Sequence, residues 1–323
     1  MNHSQIILHQ IIILSVLVII GVIATRTKII TTSVKKGVAD IVFDITLPLL
    51  IITTFMRIDL SPVILRNSGL VLLFTYLALG IMYLFGHLFS KAAKLKGSQR
   101  AVFINHHMFG NIVFLGFPLM DALFPGGEGL LYAAIFQLAS NSVMWTFGVW
   151  VFLKGSGGKR NEVWRNMVNP NTIAFFVGLL FMFVRIPVPD ILYEPLHGLG
   201  KTTIYLSMLY IGAMLAATSV RGIFRKPYLF LLSFNKLLLV PFFFAGLTYL
   251  LTYWFFPAFG EIAMKVLILE ASMPCMATIV VMARKFNSDD QLATENVFVS
   301  TILSAFTIPL VYGGLTLLDQ LIP

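Results

Sequence analysis

Cysteine and charge are the scarce residues of this 323-residue chain. A single cysteine, Cys275, excludes an intrachain disulfide, a multi-cysteine zinc site and an iron–sulfur cluster. Charged residues make up 11%, where a soluble domain carries about a quarter, so most of the surface does not meet water. No Gly-x-x-x-x-Gly-Lys-Ser/Thr loop is present, which removes ATP-driven chemistry of the phosphate-loop kind. An intramembrane enzyme needs a nucleophile–base set; serine and histidine are present, but no spacing supports a Gly-x-Ser-x-Gly or His-Glu-x-x-His site. His106 and His107 have no third ligand near them in sequence, so no metal and no cofactor is expected.

What fills the chain is apolar: 58% of residues are hydrophobic, in repeated runs of the roughly twenty residues needed to cross the hydrocarbon core. The runs are continuous, not ten-residue alternations, so they predict helices and not a barrel. They fall near residues 5–24, 37–56, 68–90, 100–124, 129–153, 168–186, 198–219, 229–256, 261–283 and 292–318. The first lacks a basic leader and a small-residue cleavage site and is followed by Arg26 and Lys28, so it reads as a span and not a signal peptide. The expected fold is an all-α integral membrane protein of ten transmembrane helices.

The net charge of +9 follows from orientation and not from nucleic acid. Seventeen of the 23 lysines and arginines lie after spans one, three, five, seven and nine; Arg26, Lys91, Lys154, Arg225 and Arg284 stand for each cluster. Only Arg57, Arg66, Arg185 and Lys201 lie on the opposite side, with Lys236 and Lys265 inside spans. Basic loops stay in the cytoplasm, which places the protein in the cell membrane with both termini outside. Lys236 and Lys265 are expected to snorkel to the two boundaries.

The polar stretch from Lys154 to Asn166 divides the spans five and five. Residues 1–153 then form a first five-helix repeat, 154–167 a short cytoplasmic linker, and 168–323 a second repeat. An odd number of spans per half inverts the second relative to the first, as in many secondary transporters. Gly116-Phe117-Pro118 in span four and Met273-Pro274 in span nine hold the same ordinal place in each half. Proline inside a helix removes a hydrogen bond and clashes with the preceding turn. Along a helix, Asn111 lies roughly 16 Å from Arg100 and Pro274 about 20 Å from Glu261, so both breaks are expected near the midplane. A half-helix starting beside each proline would aim free amides and a positive dipole end at one point, a setting that prefers a carboxylate. Asn111 would add a neutral donor. Gly116, Pro118, Asn141, Pro274 and Cys275 complete the candidate substrate site.

The run Asn111-Ile-Val-Phe-Leu-Gly116-Phe-Pro118-Leu119, with Ala134-Ile-Phe136 and Asn141 behind it, resembles spans four and five of the auxin efflux carrier family. That family includes bacterial dicarboxylate permeases and plant PIN-type proteins. Asn169-Pro170-Asn171-Thr172, Leu206-Ser-Met208 with Ile211-Gly212-Ala213, and Ser272-Met-Pro274 continue the resemblance in order, as do Ser300-Thr301, Ser304 and Pro309. It implies ten spans, two inverted five-helix repeats, crossed broken helices four and nine, and a midplane site for small carboxylates with Asn111 as ligand contact. It also implies a structural or gating motif at Asn169 and Asn171. The long hydrophilic central loop of the plant proteins is missing here, so the chain is similar to the compact members.

Two carboxylates are candidates for proton or ion coupling. Glu270 lies one turn before Pro274, where an unpaired charge is expensive. Asp44 shares a face of span two with Asp40, and its alternative is a boundary carboxylate balancing Lys36. The function expected is a secondary transporter or uniporter of a small organic anion, auxin-like or dicarboxylate, working by alternating access. Its partners are that anion, a coupling proton or sodium ion, the lipid bilayer and a second copy in a homodimer. The competing class is a membrane receptor that binds a carboxylate without moving it.

Overall fold

The computed structural model describes residues 3–59, 61–156, 170–185, 187–217 and 222–321, without the side chains of 3–11, 156, 320 and 321. Asn169 and most of the 154–167 linker lie outside the described residues. Every regular element described is helical, and long apolar helices of this composition make the chain a multi-pass membrane protein.

Twelve helices follow in order: α1 (His3–Arg26), α2 (Thr32–Phe55), α3 (Pro62–Ala92), α4 (Gly97–Met108), α5 (Ile112–Leu123), α6 (128–156), α7 (Pro170–Val184), α8 (Asp190–Ala217), α9 (Pro227–Phe255), α10 (Glu261–Ala271), α11 (Thr278–Lys285) and α12 (Asp290–Leu321). Five of them, α2, α3, α8, α9 and α12, are each long and apolar enough to cross a bilayer alone. The fourth and ninth apolar runs are the ones that come in two pieces, α4 with α5 and α10 with α11.

The chain forms two compact units, and each draws on both halves of the sequence. The first unit comprises residues 1–69, 113–137 and 168–217. Within it α1 lies against α8 at glycine contacts: a Cβ on Gly21 would sit 2.4 Å from Leu209 O, and one on Gly212 2.1 Å from Val18 O. Apolar solvent gives lipid-embedded helices no hydrophobic drive to associate, so close backbone approach through small residues does that work. Hydroxyl pairs add to it, with Thr203 donating to Thr46 across 2.9 Å. The second unit comprises residues 70–112, 138–167 and 218–323. There α4 packs on the end of α6, while α12 packs on α9, α11 and α4.

Among the described residues four π-helical turns interrupt the helices, at Val42–Thr46, Ile112–Gly116, Met144–Gly148 and Asn235–Leu239. Three end two residues before a proline: Pro48, Pro118 and Pro241. Proline strikes the carbonyl one turn before it, and the wider π turn gives that carbonyl room. Pro118 therefore does not break span four as the sequence suggests. It sits at the start of the α-helical stretch Phe117–Leu123, well inside a continuous α5.

Candidate functional site

The break in span four falls at Phe109–Asn111, where no proline occurs. The break in span nine runs from Ser272 to Ala277 and does contain Pro274. The two non-helical stretches cross within the second unit and pair as a short antiparallel bridge between Gly110 and Cys275. The Asn111 amide donates to Pro274 O (2.7 Å), and the Met276 amide donates to Phe109 O (3.2 Å). Each break thus satisfies backbone groups that the other leaves open, which buried peptide groups require. Gly110 permits the approach: a Cβ there would sit 2.9 Å from Met273 Cβ and 3.3 Å from Met273 O. The break thus lies seven residues before Pro118, at a glycine and an asparagine.

Side chains of the second unit brace the crossing. His106 Nε2 donates to Met276 O (3.3 Å), which leaves Nδ1 to accept from Asn296 Nδ2 (3.2 Å). This pairing selects one neutral tautomer and ties α4 and α12 to the break in span nine. Ser300 Oγ accepts the Cys275 amide (3.0 Å), and the Cys275 thiol points at His106 O (3.8 Å). Cys275 is fully enclosed, so the position contributes its backbone to the crossing.

Lys236 is the residue that sequence reasoning misplaced. It does not snorkel; it lies in the π turn of α9, 1% exposed, with Nζ donating to His107 O (3.0 Å) in the last turn of α4. A helix C-terminus favours a cation, and this one is filled by the protein's own amine. No salt bridge among the described residues involves Lys236. Lys265 is also buried, 6% exposed, but it pairs with the exposed Glu261 and with Asp319 (2.7 Å).

Glu270, in the last turn of α10, is 1% exposed, and neither carboxyl oxygen has a hydrogen-bond partner among the described residues. Exchange for glutamine keeps its shape and removes its proton chemistry. Glu270→Gln is expected to change the pH profile of flux more than the maximal rate; superimposable profiles for wild type and variant would make Glu270 structural.

The remaining candidates are spread over both units. Asn111 is buried and, with Pro274 and Cys275, forms the crossing itself. Asn141 is buried on α6 in the second unit. Gly116 and Pro118 belong to α5 in the first unit. Asp44 is exposed, in the π turn of α2, also in the first unit. Asn171 is buried in the first turn of α7, and Asn169 lies outside the described residues.

A helical membrane protein with two broken helices paired at one crossing is the architecture of a transporter. The chain belongs to the membrane transport protein family: that family's model matches it twice in tandem, over residues 6–163 and 159–312, and the family is the auxin efflux carrier-like one that the motifs resemble. It is 27% identical over 298 residues to an uncharacterized transporter of Methanothermobacter thermautotrophicus, covering 91% of this chain and 94% of the relative. A second uncharacterized transporter, from Methanocaldococcus jannaschii, is 25% identical over 309 residues, covering 93% and 96%. The chain therefore belongs with membrane transporters.

Proposed function

We propose that the protein is a secondary transporter or uniporter of a small organic anion, a carboxylate such as an auxin-like acid or a dicarboxylate, bound at the crossing of α4–α5 with α10–α11. The observation that carries the reading is Lys236, a buried amine beside the crossing with no carboxylate paired to it among the described residues. Burying an unpaired charge is costly, and a site that keeps one is suited to an anionic guest. The helix starts of α5 and α11 follow the crossing immediately, and their dipole ends favour negative charge, although the amides of Ile112, Ile279 and Val280 already bond local carbonyls. Asn111 supplies a neutral donor and Asn141 is a further polar contact.

Glu270 is the coupling candidate on the same unit: a buried carboxyl without a hydrogen-bond partner among the described residues can hold a proton or a small cation in exchange for the anion. Asp44 is the corresponding candidate on the first unit. Transport proceeds by alternating access. The tandem family matches support two repeats; the first unit takes the first two spans of each half and the second the third, whereas spans four and five are divided between the units and spans nine and ten lie wholly in the second.

A binding screen of mono- and dicarboxylates, indole acids included, against the purified chain tests the ligand class. Saturable binding of a carboxylate, absent for the matching amide or alcohol, is expected; binding of neutral or cationic analogues alone contradicts it.

The basic bias supports termini outside and a cytoplasmic linker of residues 154–167 in a cell-membrane protein. A reporter joined after Pro323 is expected to read extracytoplasmic, and cytoplasmic activity would invert the topology.

A further inference from the structure

We propose that a cavity at the ends of α3, α4 and α6 is a binding site for a phosphate-bearing anion at the membrane–water boundary, separate from the transport site. The cavity has a volume of about 200 Å³ and lies wholly within the second unit. Among the described residues its walls hold three nitrogen bases from three helices, His87 of α3, Arg100 of α4 and Lys154 of α6, and no carboxylate. Arg100 Nη2 donates to the His87 ring (3.1 Å to Nδ1), which turns the guanidinium into the cavity wall and leaves its other donors for a guest. Lys154 Nζ lies 4.9 Å from the centroid of the Trp150 ring. No salt bridge among the described residues uses Arg100 or Lys154. Topogenic lysines explain a basic loop, but they do not explain an arginine and a lysine converging on one concavity.

The backbone contributes as well. Gly97 lines the cavity as the first residue of α4, and its cap residue Lys96 supplies no side-chain acceptor. The first-turn amides of a helix have no intrahelical partner and carry its positive end. Gly97, at φ +50, and Gly155 fix this corner: a Cβ on Gly155 would lie 3.0 Å from Gly97 O and 2.7 Å from Ala101 Cβ. The concavity is therefore held by packing and not by chance placement of long side chains.

A planar guanidinium, an ammonium and a helix start are the donor set that grips a phosphate. Tyr83 and the half-exposed Trp150 line the same cavity, and such amphipathic rings sit at headgroup level. The headgroup of an anionic phospholipid and a free phosphate ester present the same chemistry here. Because α4 runs from this cavity to the crossing, an anion bound at its first turn acts on the helix whose last turn holds Lys236.

The test titrates the purified full chain with phosphatidylglycerol, phosphatidylcholine and glycerol 3-phosphate, with bound copies counted by native mass spectrometry. Phosphatidylglycerol is expected to bind at least tenfold more tightly than phosphatidylcholine, and Arg100→Gln with Lys154→Gln is expected to abolish that preference. Lys35→Gln with Lys36→Gln removes the same charge elsewhere and should leave it intact. Lys154 is exposed at a helix end, so Lys154→Gln alone keeps the fold in hand and should weaken binding severalfold. Competition by glycerol 3-phosphate assigns the site to a soluble phosphate ester; its failure to compete assigns the site to the lipid. Equal losses in the cavity and control variants, or no preference for either phosphate ligand in wild type, overturns the proposal.

Discussion

Lys236→Met should lower carboxylate binding and transport about 100-fold while the protein still folds. A loss of that size is about 2.7 kcal/mol, inside the ~1.5–3 kcal/mol typical of a hydrogen bond to a charged group. Folding should survive because two effects oppose each other. His107 O loses its donor, and an unsatisfied buried carbonyl costs about 1–3 kcal/mol. Against this, the variant no longer has to bury an ammonium, whose desolvation is itself worth several kcal/mol. Methionine is unbranched and close in length, so it fills the space that α9 and α4 leave for the stem. The discriminating pair of measurements is the thermal midpoint in detergent beside the anion affinity. A midpoint near wild type with affinity lost assigns Lys236 to the guest. Unaltered affinity in a folded variant would reduce Lys236 to a cap on α4.

Asn111→Ala should weaken the same anion at least tenfold, which corresponds to roughly 1.4 kcal/mol and fits the loss of one side-chain donor to a charged ligand. The substitution leaves the backbone bond from the Asn111 amide to Pro274 O (2.7 Å) in place, so the crossing should persist. The effect is expected in affinity, with expression and oligomeric state unchanged. Affinity equal to wild type would remove the Asn111 side chain from the site and leave its backbone as its contribution. Lys236 and Asn111 belong to the same unit; if both contact one guest, the double variant should lose less than the sum of the two single losses, since interacting sites are not additive.

The bundle itself was legible because hydrophobic runs of span length leave few alternatives, and the broken ninth helix because Pro274 stands inside the gap it makes. The fourth helix was read one step wrong. Proline looked like the breaker, yet its clash can be absorbed by a π turn, as at Ile112–Gly116, and no single-sequence signal separates the two outcomes. The true gap at Phe109–Asn111 depends on a tertiary event, the pairing of Gly110 with Cys275, which supplies the bonds that the open turn lacks. Lys236 failed for a related reason. Span eight is apolar nearly all round, so its sequence does not say which way a lone lysine faces, and the snorkelling expectation filled that gap. Only the position of His107 O, contributed by a helix far away in sequence, fixes the amine inside. The two compact units were likewise hidden, since each is assembled from segments of both halves.

Flux of a bound carboxylate into proteoliposomes, measured for wild type, Lys236→Met and Asn111→Ala in the same preparation, bears most directly on anion transport through the crossing. The expected result is saturable uptake by wild type that falls about 100-fold in the lysine variant and at least tenfold in the asparagine variant. Binding without uptake from either face of the membrane, or uptake that both variants retain in full, would contradict it.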